Sequence, residues 1–146
     1  MAITSAICNS FKQEILEAEH NFTASTGNTF NLALYDSDAT LGAGTTAYTT
    51  SEEITNTSGT AYTAKGKALT SVTPTLDSST AVCDFAAVSW TSASFTARGC
   101  LIFNDSHSTD AAVCAIDFGG DKTATSGTFT IQFPAAAAST AIIRIA

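Results

Sequence analysis

The hydrophobic period of this chain changes once, near Asn21, and does not change back. Before that point Ile7, Cys8, Phe11 and Ile15 recur at helical spacing while Lys12, Gln13, Glu14 and Glu17 fall on other faces, the pattern of an amphipathic helix. After it, Phe30, Leu32 and Leu34 alternate with Asn31, Ala33 and Tyr35, and Phe129, Ile131 and Phe133 alternate with Thr128, Thr130 and Gln132. Such alternation marks strands with one buried face. A sequence written in one period does not settle into the other structure. The expectation is therefore a mainly β fold, an antiparallel β-sandwich or jelly roll, with one N-terminal amphipathic helix over about residues 5–19.

Further strands are expected at Ala61 to Thr63, Ala81 to Phe85, Phe95 to Phe103, Val113 to Phe118 and Ala141 to Ile145. Turns at Gly42-Ala-Gly44, Ser58-Gly59, Asp77-Ser-Ser, Asn104-Asp105-Ser106 and Gly119-Gly120-Asp121 separate them. Seven or eight short strands punctuated in this way describe a two-sheet domain. Thr4 or Ser5 is placed to cap the helix and His20-Asn21 to stop it. Pro74 and Pro134 flank strand candidates, where a missing N–H is harmless. No composition break divides the chain, so residues 1–146 are read as one domain. The Thr-, Ser- and Gly-rich stretch Ala39 to Gly66 is the place where an extended arm could leave it.

Six Lys plus Arg stand against 13 Asp plus Glu, and the cations are scattered, so no basic footprint for nucleic acid exists. No run of 18 apolar residues occurs, which argues against a membrane span, and no basic leader precedes the first apolar residues. Only 13% of residues are charged. A surface covered by Thr, Ser, Asn and Ala suits packing against neighbours.

Chemistry is sparse. His107 sits in a polar turn without a nucleophile motif, and His20 reads as the end of the helix. Asp36-Ser37-Asp38 resembles only the opening of a calcium loop, without the glycine and terminal glutamate that such a loop needs, so a turn is expected. Cys8, Cys83, Cys100 and Cys114 have no CxxC spacing and read as buried, unpaired thiols of a chain made in a reducing cytoplasm. Trp90 reads as a core plug, although aromatic rings could also stack on sugars. Catalytic residues, cofactors and metals are therefore not expected. The features that ask for partners are the helix stripe, the aromatic residues of the 39–66 stretch and the apolar C-terminal strand. They make Ile7, Phe11, Ile15, Tyr48, Tyr62, Ile143 and Ile145 the interface candidates.

The opening from Met1 to Phe22, Thr29-Phe-Asn-Leu-Ala-Leu-Tyr35, Tyr48 to Gly66 and the close from Gly127 to Pro134 and Ile142-Ile-Arg-Ile145 together resemble small virion structural proteins of tailed bacteriophages. The resemblance spans nearly the whole chain and carries no catalytic motif. It implies a capsid decoration or cement protein on the virion surface, self-associating as a dimer or trimer and binding the major capsid protein or other virion subunits. The alternative is a tail or head fibre module that binds a host-surface glycan.

Overall fold

The computed structural model describes residues 1–55 and 59–146. Among them the chain forms β1 (Ala6–Ile7), α1 (Asn9–Leu16), β2 (Phe30–Tyr35), β3 (Lys67–Ala68), β4 (Ser71–Asp77), β5 (Thr80–Phe85), β6 (Val88–Asn104), β7 (Ala111–Ile131) and β8 (Ile143–Ile145). The strands pair antiparallel in two sheets, one of five strands in the order β1-β7-β6-β2-β3 and one of three in the order β4-β5-β8. The mainly β architecture with a short N-terminal helix is the one that the hydrophobic period foretells. Aromatic contacts join the sheets, since Phe85 of β5 lies 6.1 Å from Phe30 of β2 and 6.3 Å from Phe22 between ring centroids.

The helix is about half as long as expected. Ala6 and Ile7 pair with Ala115 and Cys114 of β7, and the Cys8 N–H donates to the Val113 carbonyl. The sheet thus satisfies backbone groups that a helical turn would otherwise have to satisfy. Cys8 takes the N-cap place in extended geometry with no side-chain cap bond, displacing Thr4 and Ser5 from that role. At the other end Ala18 turns to a φ of 61°, and the helix stops at Leu16, before His20. His20 is accordingly not a helix cap. It is buried against Phe11, Phe22 and Phe30, with Nε2 2.8 Å from Glu14 Oε2 and Nδ1 3.1 Å from the Asn104 amide nitrogen. The Asn104 carbonyl oxygen accepts the Ser106 N–H, so its amide nitrogen is the donor to Nδ1. The ring proton therefore lies on Nε2, facing Glu14.

In β2 the alternation understates burial. Phe30, Leu32 and Leu34 are inside as expected, but Ala33 and Tyr35 are also fully buried. The chain that follows closes the second face, with the Tyr35 hydroxyl donating to the Thr49 carbonyl at 2.7 Å. Three other readings need correction. Val113 to Phe118 and Phe129 to Ile131 belong to one strand, because Gly119-Gly120 forms a bulge and not a turn; Gln132 and Phe133 lie beyond its end. Gly99 pairs with Asp117 and Ala97 with Lys122, so β7 carries extra residues there and pairing resumes beyond them with the register shifted. Ala61 to Thr63 is not a strand, and β4 was not foreseen. Pro74 lies inside β4, whose register shifts between Val72 and Thr75; β4 is an edge strand, where a proline costs no ladder bond.

The Ala39 to Gly66 stretch is not an arm where it is described; residues 56–58 lie outside the described residues. Leu41 bridges to Ile3, Ala47 to Ala111 and Glu53 to Tyr35. The carboxylate of Glu53 then gathers the segment, accepting from the Tyr48 hydroxyl at 2.5 Å, the Tyr62 hydroxyl at 2.6 Å and the Lys65 N–H at 2.8 Å. Tyr62 in turn accepts the Leu34 N–H of β2 at 3.0 Å. Burial, with Glu53 beside it, raises the Tyr48 phenol to about 12 and pushes Tyr62 higher still, so both remain protonated donors.

Candidate docking surfaces

Most of the expected interface residues are spent inside the domain. Phe11, Tyr62 and Ile143 are buried in the chain's own core and offer nothing to a partner. Ile7 and Ile15 pack half-buried on that core, and Tyr48 stacks on Phe103 with centroids 4.8 Å apart. The reason is common to all six. The helix stripe, the 39–66 aromatics and the C-terminal strand find their partners in the same sheets that they were expected to decorate. Ile145 alone of the seven is exposed, at 57%.

Ile145 leads to a surface that the periodicity did not mark. The register sets Leu76 opposite Ala81 and Ala81 opposite Ile145, so these three stand in a row across β4, β5 and β8 on one face. Two residues further along the same face, Ile143 and Cys83 pack on the main core. The row therefore overhangs the end of the core, where Leu76 is 72% exposed; on the opposite face of β4, Val72 is 46% exposed. Among the described residues both outer strands of this sheet, β4 and β8, have an edge that no strand pairs. Pro74 blunts the β4 edge, and the Thr73 hydroxyl accepts the Ala24 N–H there at 3.0 Å. A sequence signal did exist, because Leu76 and Ile145 are large apolar residues next to or at the ends of their strands. Only the pairing of β5 with both β4 and β8 brings them together.

Charged groups are mostly paired locally. Lys65 reaches Asp105 at 2.9 Å and Asp110 at 2.8 Å, and Arg98 reaches Asp117 at 3.0 Å and Asp121 at 3.8 Å across the glycine bulge. The Arg98 guanidinium and the Gly119 N–H hold the Asp117 carboxyl below its ordinary range. Asp36, Asp38 and Glu52 bring one carboxylate oxygen each within 4.8 Å of one another. The Asp36 carboxylate accepts the Asp38 N–H at 2.9 Å, which is the turn expected of this stretch. His107 lies in its expected turn, bonded to Thr109 and 3.5 Å from Glu19. Trp90 is buried among Tyr62, Phe95 and Phe129, a core plug with no face open to a sugar ring.

The four cysteines are unpaired. Burial raises the Cys8 and Cys83 thiols to about 11 and Cys114 to about 12, and raises Cys100 well above its ordinary value. Thiol counting in denaturant without reductant is expected to find all four, whereas a count of two or none would reveal bridges. The native chain should react only slowly near neutral pH, since the thiolate is the reactive form. Above about pH 9 the unfolded chain releases thiol protons that the native chain still holds, so it binds fewer protons and stability falls with rising pH. An alkaline melting series with a flat profile from pH 9 to 11 would contradict this.

No helix of the described chain is long and apolar enough to cross a membrane. Comparison with family models, with curated proteins and with solved structures finds no match.

Proposed function

We propose that the chain is a virion structural protein that docks on the outside of a tailed-phage capsid as a decoration or cement subunit, bridging capsomers through the overhanging row Leu76, Ala81 and Ile145. The observation that carries this reading is the row itself. Large apolar side chains held on a rigid three-stranded sheet, beside unpaired strand edges and a surface of low charge density, are what a docking face requires. Stable docking buries about 1,000 Å² or more, so the row is the centre of a wider footprint that includes the edges of β4 and β8. The sequence resemblance to small virion proteins supports the same role. Self-association as a dimer or trimer would let each copy reach more than one capsomer, and linked contacts gain strength from one another.

Truncating the N-terminus is a poor test, because Ile3, Cys8 and Phe11 are core residues. Charge at the row is a better one. Leu76→Asp with Ile145→Asp is expected to leave melting nearly unchanged and to weaken co-sedimentation with undecorated shells about thirtyfold, the loss of a central hot spot. Shell protection on heating should fall with it. Unchanged binding by the folded double variant would move the docking face elsewhere. A parent chain that ignores shells and binds host glycans would replace this role with that of a fibre module.

A further inference from the structure

A groove of about 520 Å³ opens on the domain and shares no residue with the overhanging row. Phe118, Phe129, Ile131, Phe133 and Ile142 line it, together with Lys122. Apart from Phe129 these apolar side chains are only partly buried, so folding leaves a continuous oily lining open to water. Its volume falls within the roughly 300–1,000 Å³ typical of small-molecule sites.

Lys122 supplies the second observation. Every other basic side chain of the protein has a partner for its charged group: Lys12 donates to Asn9, Lys65 to Asp105 and Asp110, Lys67 to the Ser89 carbonyl, Arg98 to Asp117 and Arg144 to the Ala138 carbonyl. Among the described residues no hydrogen bond, ion pair or aromatic ring engages Lys122. The two nearest carboxylates in sequence, Asp117 and Asp121, face Arg98. A chain that carries a net charge of -7 thus leaves one of its six lysines and arginines without a partner among the described residues, and that lysine lines an apolar groove.

We propose that this groove binds a free single-chain carboxylate amphiphile, a fatty-acid-like molecule whose tail lies along the aromatic and aliphatic lining and whose anionic head meets Lys122. The tail supplies affinity by removing apolar surface from water. The lysine supplies the choice of head-group sign. A zwitterionic or cationic head gains nothing from that lysine, and a bilayer lipid would have to leave its membrane to enter. The binding is reversible and involves no covalent step.

Full-length protein is titrated with dodecanoate, read both by displacement of the fluorescent fatty acid cis-parinarate and by the emission of Trp90, whose ring centroid lies 6.2 Å from that of Phe129 on the groove wall. Saturable binding of one dodecanoate per chain is expected, with dodecyltrimethylammonium weaker by about tenfold, since an exposed ion pair is replaced by repulsion. Lys122→Glu, on an exposed strand position, should melt like the parent and reverse that preference. Phosphatidylglycerol vesicles should neither bind the chain nor displace the probe. Absence of saturable dodecanoate binding overturns the proposal. So does equal affinity for the two head groups in parent and variant, or capture by vesicles without binding of the free acid. The head-group comparison needs no variant, so it stands even if Lys122→Glu fails to fold.

Discussion

Gly66→Ala should abolish the native fold or destabilise it by about 5 kcal/mol, the largest effect of any single methyl added to this chain. A β-carbon at this position would lie 1.8 Å from the Leu32 carbonyl oxygen, 2.7 Å from its carbon and 2.9 Å from the Ala33 Cα. All three are backbone atoms of β2, a largely buried inner strand, and no rotamer change moves them. The φ of +64° adds strain of about 1–2 kcal/mol for any residue with a side chain. The close approach follows from the way residues 60–66 are laid against β2, with the Asn31 amide reaching the Lys65 carbonyl and the Tyr62 hydroxyl taking the Leu34 N–H. Gly44→Ala serves as the control, because its β-carbon would meet nothing within 4 Å. Urea unfolding of the two variants decides the matter. Gly66→Ala within about 1 kcal/mol of the parent would mean that this segment does not lie against β2 as described.

Phe129→Ala is the second large effect, with an expected loss of about 3 kcal/mol, at the lower end for a phenylalanine removed from a core. Phe129 is buried and its ring meets Phe95 at 4.9 Å, Trp90 at 6.2 Å and Phe118 at 6.4 Å between centroids. Removing it takes the keystone out of this aromatic group. The cost stays below the maximum because the void opens into the groove, where water can fill part of it. The emission of Trp90, the one tryptophan, should shift to the red in the folded variant. A loss under about 1 kcal/mol with unshifted emission would place Phe129 at the surface.

How far the sequence could be read depends on whether a feature is local. Phe30, Leu32 and Leu34 announce β2 because alternation is carried by neighbouring residues, and Phe11 with Ile15 announces the helix in the same way. The helix start at Asn9 could not be read, because the competing partner of Ala6 and Ile7 is a strand more than 100 positions away. Gly119-Gly120 looks like a turn until the register of β6 shows that the strand continues past it. β4 escaped notice because Ser71-Val-Thr-Pro-Thr-Leu-Asp77 has a proline in its middle and few apolar residues, the marks of an edge strand that cannot be told from a loop by period alone. The surfaces were harder still. Apolar residues such as Phe11 and Ile143 look the same in a sequence whether their own core or another protein covers them. That Lys122 is left free depends on where Arg98 and Lys65 find carboxylates, 19 and 40 or more positions away.

The pairing of β1 with β7 also sets a timetable for biosynthesis. Ala6 waits for Ala115, which leaves the ribosome 109 residues later, and Val82 waits for Arg144, 62 residues later. At elongation rates of about 5–20 residues per second the first strand spends several seconds without its partner, longer than the collapse of a chain of this size takes. Cys8, whose N–H donates to the Val113 carbonyl, waits through the same interval. The five-stranded sheet therefore closes only after β7 has emerged, and a ribosome stalled before Ala115 should present a nascent chain more sensitive to protease than the finished domain.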